Sequence, residues 1–155
     1  MIKLISAFDE NFLIGSGNGL PWDFPEEYEH FLKIVENQSV IFGRKSFQIF
    51  SGDTKTTRNF VVSHLGIDFE NATVCSSLKD AITEAKQFEN DIFICGGATI
   101  YKQTLEQDLV EKMYLSFIKG SFVGDTYFPK IDFTKWKEVE KIEYTNFTFV
   151  EFEKC

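Results

Sequence analysis

Apolar residues run along this chain in two rhythms. Short, mostly apolar runs at Ile2 to Phe8, Ser39 to Gly43, Arg58 to Ser63, Asp91 to Cys95 and Lys112 to Ile118 read as buried strands, with Ala72 to Cys75 as a further short one. Between them apolar positions recur at helical spacing. Phe24, Tyr28, Phe31, Ile34 and Val35 form one stripe of a helix over about 25–37. Leu78, Ala81, Ile82, Ala85 and Phe88 do the same over 78–88, with Ser77 placed to cap, and shorter helices are predicted over Arg44–Phe50 and from Ala98 to about Glu106. Strands alternating with helices of this length predict a largely parallel sheet covered on both faces, with ligands at the carboxyl ends of the strands. Trp136–Ile142 and Phe147–Glu153, joined by Glu143 to Asn146, predict an antiparallel hairpin at the sheet edge, and Gly120 to Pro129 reads as a long loop. Residues 1–155 are thus expected to form one α/β domain around a mixed, mostly parallel sheet of about eight strands.

The stretch from Gly15 to Glu27 is unlike the rest. Gly15, Gly17 and Gly19 permit movement and close approach to a ligand, whereas Pro21, Trp22 and Pro25 fix the chain direction and lead into the first helix. Glu26, Glu29, Lys33 and Glu36 fall on the polar face of that helix, but Glu27 falls with the aromatic stripe, one turn before Phe31. The residues leave two readings. Glu27 is either a first-turn acid in water, favoured by the helix dipole, or an inward carboxyl whose pKa is raised by desolvation or which a ligand's donors hold charged.

Two strands end in glycine and pass directly into a helix. After Gly43 stand Arg44, Lys45 and Ser46, cations at the positive end of a helix, which suit a bound anion or else form a solvated basic turn. After Cys95, Gly96-Gly97 is a ligand-approach point or a tight turn needed only for packing.

Composition narrows the class of function. Apolar residues at 43%, charged residues at 26% and 18 phenylalanines describe a globular protein with a substantial core. A net charge of −8 argues against nucleic-acid binding and confines any phosphate site to a local cluster. Cys75, Cys95 and Cys155 show neither CxxC nor other metal-ligand spacing, so a reducing cytoplasm and no metal are expected. No export signal and no apolar run of membrane-crossing length is present in the sequence.

In order and spacing these pieces resemble one family, dihydrofolate reductase. The resemblance rests on the strand ending in Ala7, Ile14-Gly15 to Leu20-Pro21-Trp22, Glu27 with Phe31, Val40-Ile41-Phe42-Gly43-Arg44-Lys45-Ser46-Phe47, Ile94-Cys95-Gly96-Gly97-Ala98-Thr99-Ile100-Tyr101, Tyr114-Leu115-Ser116, and Gly124-Asp125-Thr126-Tyr127-Phe128-Pro129. It implies NADPH-dependent hydride transfer to C6 of 7,8-dihydrofolate, with protonation at N5 through water. Glu27 would be the pterin acid, supported by Ser116 and Trp22, in a substrate pocket that includes Ile5, Ala7, Phe31 and Phe50. For the cofactor it implies Ala7, Ile14 and Cys95 around the nicotinamide, Gly96, Gly97, Ala98, Lys45 and Ser46 at the pyrophosphate, and Arg44, Ser63 and His64 near the adenosine 2′-phosphate. Gly15, Leu20, Gly43, Thr99, Tyr101 and Thr126 would complete that site. The loop from Gly15 to Trp22 would close over it, Asp125 would lie in the loop that contacts this closing loop, and the glycine pair would be joined by a cis peptide bond. The implied ligands are dihydrofolate and antifolate-type small molecules, and the implied state is a cytoplasmic monomer. A reductase of riboflavin biosynthesis shares the sheet and cofactor site, but the Leu-Pro-Trp loop and Glu27 argue against it. Two positions depart from the family's pattern. Thr57 stands where the arginine that pairs with the folate glutamate is usual, with Arg58 one place later as its candidate replacement, and Thr99 stands where a second cofactor arginine is usual.

Overall fold

The computed structural model describes residues 1–15 and 19–155, so Ser16, Gly17 and Asn18 of the glycine-rich stretch lie outside the described residues. In chain order the elements are β1 (Ile2–Phe8), β2 (Leu13–Gly15), α1 (Pro25–Val35), β3 (Ser39–Gly43), α2 (Arg44–Phe50), β4 (Arg58–Val62), β5 (Thr73–Cys75), α3 (Leu78–Ala85), β6 (Ile92–Ile94), α4 (Ala98–Glu106), β7 (Lys112–Ile118), β8 (Thr126–Tyr127), β9 (Trp136–Glu143) and β10 (Phe147–Lys154). Eight strands make one sheet in the order β5-β4-β3-β6-β1-β7-β10-β9. From β5 to β7 every neighbouring pair is parallel; β7 with β10 and β10 with β9 are antiparallel, which is the expected edge hairpin.

Side-chain alternation explains why helices cover both faces. Within β3, Val40 and Phe42 point to one side and Ile41 to the other, and all three are fully buried. Val40 and Phe42 join Ile5, Val61 and Phe93 against Val35 of α1 and Phe47 of α2. Ile41 joins Leu4, Phe60 and Ile94 against Ala81 and Ile82 of α3 and Ile100 of α4. Ser77 caps α3 as its position predicts, its hydroxyl accepting from the Asp80 N–H at 3.1 Å.

The structure corrects the sequence reading in three places. α1 stops at Val35, because Asn37 adopts a left-handed conformation (φ 62°) and its N–H turns away to the Lys55 carbonyl at 2.9 Å. α3 stops at Ala85, which leaves Phe88 beyond its end, and two segments read as loop contain β2 and β8, paired with each other in a separate antiparallel ribbon. Strands of three and two residues are too short to show a period. The Gly96–Gly97 peptide is cis, as the resemblance implies. Cys75 and Cys95 are buried and Cys155 is exposed, all three as free thiols. No helix among the described residues is long and apolar enough to cross a membrane.

Candidate active site

The chain leaves β1 outward to β3, β4 and β5, then returns to place β6 between β3 and β1. Ligands in sheets of this kind collect beyond the carboxyl ends where the winding reverses, and the candidate residues meet there. Ala7 of β1, Cys95 and Gly96 after β6, and Ser46 and Phe50 of α2 line a cavity of about 90 Å³ with Ile5, Ser6, Ile14, Leu20, Glu27, Tyr28, Phe31, Gly97 and Tyr101. An open cleft of about 440 Å³ adjoins it, lined by Gly15, Gly43, Arg44, Lys45, His64, Ala98, Thr99 and Thr126 among others. Ile14, Leu20, Ser46, Phe50 and Gly97 belong to both walls, so cavity and cleft form one continuous site.

Glu27 takes the inward reading. Its side chain is 4% exposed on the first turn of α1, and burial raises its carboxyl pKa from 4.5 to about 7, partly offset by Trp22. The Trp22 indole packs with Ile118, Phe147 and Phe149; its Nε1 is buried without a partner in full hydrogen-bond geometry, yet it favours the charged Glu27 carboxylate. Tyr28 was legible only as part of the apolar stripe, yet its hydroxyl donates to Asp53 Oδ2 at 2.6 Å, and its ring lies 6.1 Å from both Phe31 and Phe50. Burial first, and then Asp53, raise the Tyr28 pKa. Tyr101 is fixed by donating to the Ile5 carbonyl at 2.7 Å, and burial holds both its phenol and the Cys95 thiol neutral by raising their pKa values.

The cleft is built to admit backbone and anions. A Cβ on Gly97 would meet Ser46 Oγ at 3.4 Å, and one on Gly43 would meet Ile100 at 3.4 Å and the Gly97 nitrogen at 3.5 Å. Gly96 (φ 103°) lies so close to Tyr101 that a Cβ there would be 3.1 Å from its ring. α2 begins at Gly43 and α4 at Gly97 without a side-chain cap, beside Arg44, Lys45, Ser46 and His64. Uncapped helix starts and a local cation cluster are the chemistry a dinucleotide's phosphates require, so these residues fit that cofactor.

Four expected residues stand outside the walls. Ser116 is buried in β7, in register with Ala7, and Trp22 is buried with Ile118, Phe147 and Phe149. Ser63 is buried with its hydroxyl accepting from the Leu65 N–H at 3.3 Å, which shapes the turn carrying His64 to the cleft. Arg58 is directed elsewhere: its guanidinium lies 3.6 Å from the centre of the Phe88 ring and donates to Asn90 Oδ1 at 3.2 Å. Strand alternation accounts for this, since Arg58 shares the face of Phe60, toward α3, whereas Phe31 and Phe50 pack on the opposite face with Val61. Sequence reasoning missed Ile49 and Gln103, which line the cleft one helical turn after Lys45 and Thr99. Asp125 behaves as the resemblance implies, its N–H donating to the Gly15 carbonyl at 3.1 Å between the two loops.

The class that fold and site define is an α/β protein with a small cavity holding one buried acid, Glu27, which opens into a cationic cleft at the strand ends. The comparisons with known proteins narrow it. The family model described as dihydrofolate reductase matches residues 1–154. The dihydrofolate reductase of Bacillus subtilis (strain 168) is 36% identical over 94% of this chain and 85% of its own length, and that of Staphylococcus haemolyticus is 33% identical over 89% and 82%. A solved dihydrofolate reductase from Enterococcus faecalis, complexed with NADP(H) and RAB-propyl, superposes with a TM-score of 0.89 at 22% identity, over 99% of this chain and 96% of that one. The chain belongs to the dihydrofolate reductase family, whose members are NADPH-dependent oxidoreductases.

Proposed function

We propose that the chain, as a single-domain cytoplasmic monomer, reduces 7,8-dihydrofolate to 5,6,7,8-tetrahydrofolate with Glu27 as the acid of the pterin pocket. The observation that carries this reading is the buried Glu27 carboxyl in a cavity otherwise walled by Ile5, Ala7, Phe31, Phe50 and other largely apolar groups. A carboxyl there can accept the pterin's ring N–H and amino hydrogens as a pair, which fixes the ring's orientation. NADPH, when bound, supplies the hydride that reaches C6. Ala7, Ile14, Leu20 and Cys95 would hold the nicotinamide edge, Lys45, Ser46, Gly97 and Ala98 the pyrophosphate, and Arg44 with His64 the adenosine 2′-phosphate, with Thr99 adding no charge.

A carboxyl with a pKa of about 7 gains and loses its proton within the neutral range, so it is available both as a bidentate acceptor when ionised and as a proton source. The unpartnered Trp22 N–H and the Glu27 carboxyl together suit a water molecule on the proton's way to N5. Ile14 and Leu20 line both compartments and would keep bulk water from the transfer. Antifolate-type molecules would compete for the same cavity through Glu27.

The test is a steady-state assay of the purified protein with NADPH and dihydrofolate, following loss of the reduced nicotinamide absorbance. Turnover is expected; its absence in folded protein that binds NADPH would overturn the reading. Gel filtration at assay concentration checks the monomer.

A further inference from the structure

Asp9, just after β1, is a buried carboxylate that the chemistry above does not use. It is 3% exposed, and one carboxylate serves two separate segments. Its Oδ1 accepts from the N–H groups of Asn11 at 2.8 Å and Leu13 at 3.0 Å, which closes the turn that launches β2. Its Oδ2 accepts from the N–H of Phe122 at 2.8 Å, across to the loop before β8. Two flanking bonds reinforce the junction: the Glu10 N–H donates to the Gly120 carbonyl at 3.2 Å, and Asn11 Nδ2 to Ser121 Oγ at 2.9 Å. The three N–H donors replace the water this carboxylate gives up on burial, so it favours one placement of both segments.

What Asp9 holds leads back to the site. The Phe122 ring makes an edge contact with Trp22, centroids 5.7 Å apart at 63°, and another with Phe24, 6.0 Å apart at 79°. Trp22 in turn stands behind Glu27 with its N–H unpartnered. The geometry points to Asp9 as a positioning residue: through the Phe122 N–H it sets the Phe122 ring, and through that ring the tilt of the Trp22 indole toward the acid. The same carboxylate fixes the start of β2, which carries Ile14 into the cavity wall, so one buried group aligns the pterin side and the nicotinamide side of the site. The turnover readout below rests on the proposed function; the spectroscopic one does not.

The experiment uses the full chain in a Trp136→Phe background, so that Trp22 is the sole tryptophan. Asp9→Asn keeps the shape but offers one acceptor oxygen where two were used, and turns an N–H toward one of the donors. The expected result is a red-shifted Trp22 emission with faster acrylamide quenching. It is accompanied by a fall in kcat of about tenfold with KM for dihydrofolate and NADPH almost unchanged, the pattern of an interaction that matters in the transition state. Phe122→Leu leaves the Asp9 hydrogen bonds in place and removes the ring, and should give the same Trp22 signature. Folded Asp9→Asn with the parent's emission and quenching overturns the inference, whether or not kcat falls. If Asp9→Asn does not fold, Phe122→Leu decides, and an unchanged Trp22 there overturns it equally. A parent without turnover would sink the proposed function, while the Trp22 readout would still judge Asp9.

Discussion

At the scale of single residues, the burial that would suit Glu27 to its proposed role works against the fold. Its pKa is about 7 in the folded protein against an ordinary 4.5, so between those values the folded chain keeps a proton that the unfolded chain has lost. Stability therefore falls as pH rises across that window, by about 3 kcal/mol, and levels off above it. Glu27→Gln should remove this slope and make the ligand-free protein more stable on the alkaline side by up to about that amount, read from urea midpoints across pH. The same substitution should lower turnover by about 10²-fold or more while leaving NADPH affinity almost intact. In the parent, kcat/KM for dihydrofolate should decline as pH rises through about 7; a flat profile would separate Glu27 from the proton step. The inward position of Glu27 was readable in the helical period, because one turn from Phe31 lies the buried side of α1. Arg58 shows the limit of reading by motif. Its neighbourhood suggested a ligand's carboxylate, but strand alternation with Phe60 commits it to Phe88 and Asn90. Arg58→Ala should thus cost about 1–3 kcal/mol of stability through the lost stacking and hydrogen bond, and leave KM for dihydrofolate unchanged. A rise in KM confined to dihydrofolate, absent for a tail-less pterin, would return Arg58 to the substrate site.

Among elements, the long strands and the α-helices were legible, α1 and α3 because burial of one face writes a period into the sequence and α2 and α4 because each follows a glycine that ends a strand, whereas the short 3-10 turn at Phe133–Lys135 was not. β2 and β8 were not, since their pairing depends on backbone approach and on glycine. A Cβ on Gly124 would stand 2.3 Å from the Gly15 carbonyl oxygen and 3.0 Å from Leu13 Cδ1, so a side chain there cannot coexist with the present ribbon. Gly124→Ala should push β8 away from β2 and with it displace Ile14 and Gly15 from the cleft wall they share. The expected outcome is an affinity for NADPH weaker by about tenfold, about 1.4 kcal/mol, in a protein whose thermal midpoint changes little because the main sheet is untouched. Equilibrium titration of cofactor fluorescence measures the first and a melting curve the second; a full loss of the fold would show that the ribbon supports the core as well as the site.

Taken as a whole, the molecule separates a layered frame from a site assembled at one end of it. The layering could be read from the alternation of buried strands and amphipathic helices. The strand order could not, because nothing local in Ile92–Ile94 tells that β6 inserts between β3 and β1, the step that brings Cys95 and Gly96 beside Ala7 and Gly43. That separation also sorts the three thiols. Cys95 lies in the site but is buried and neutral, Cys75 is buried in the frame, and Cys155 is exposed after β10, whose last residues pair with the start of β7, at the end of the sheet away from the site. An alkylating reagent should therefore add one group, at Cys155, without loss of turnover, as mass spectrometry and assay of the same sample would show; inactivation in step with a second modification would reveal access to Cys95. The chain thus carries a ready attachment point for a dye or a surface tether that reports on the working enzyme from the far side of its sheet.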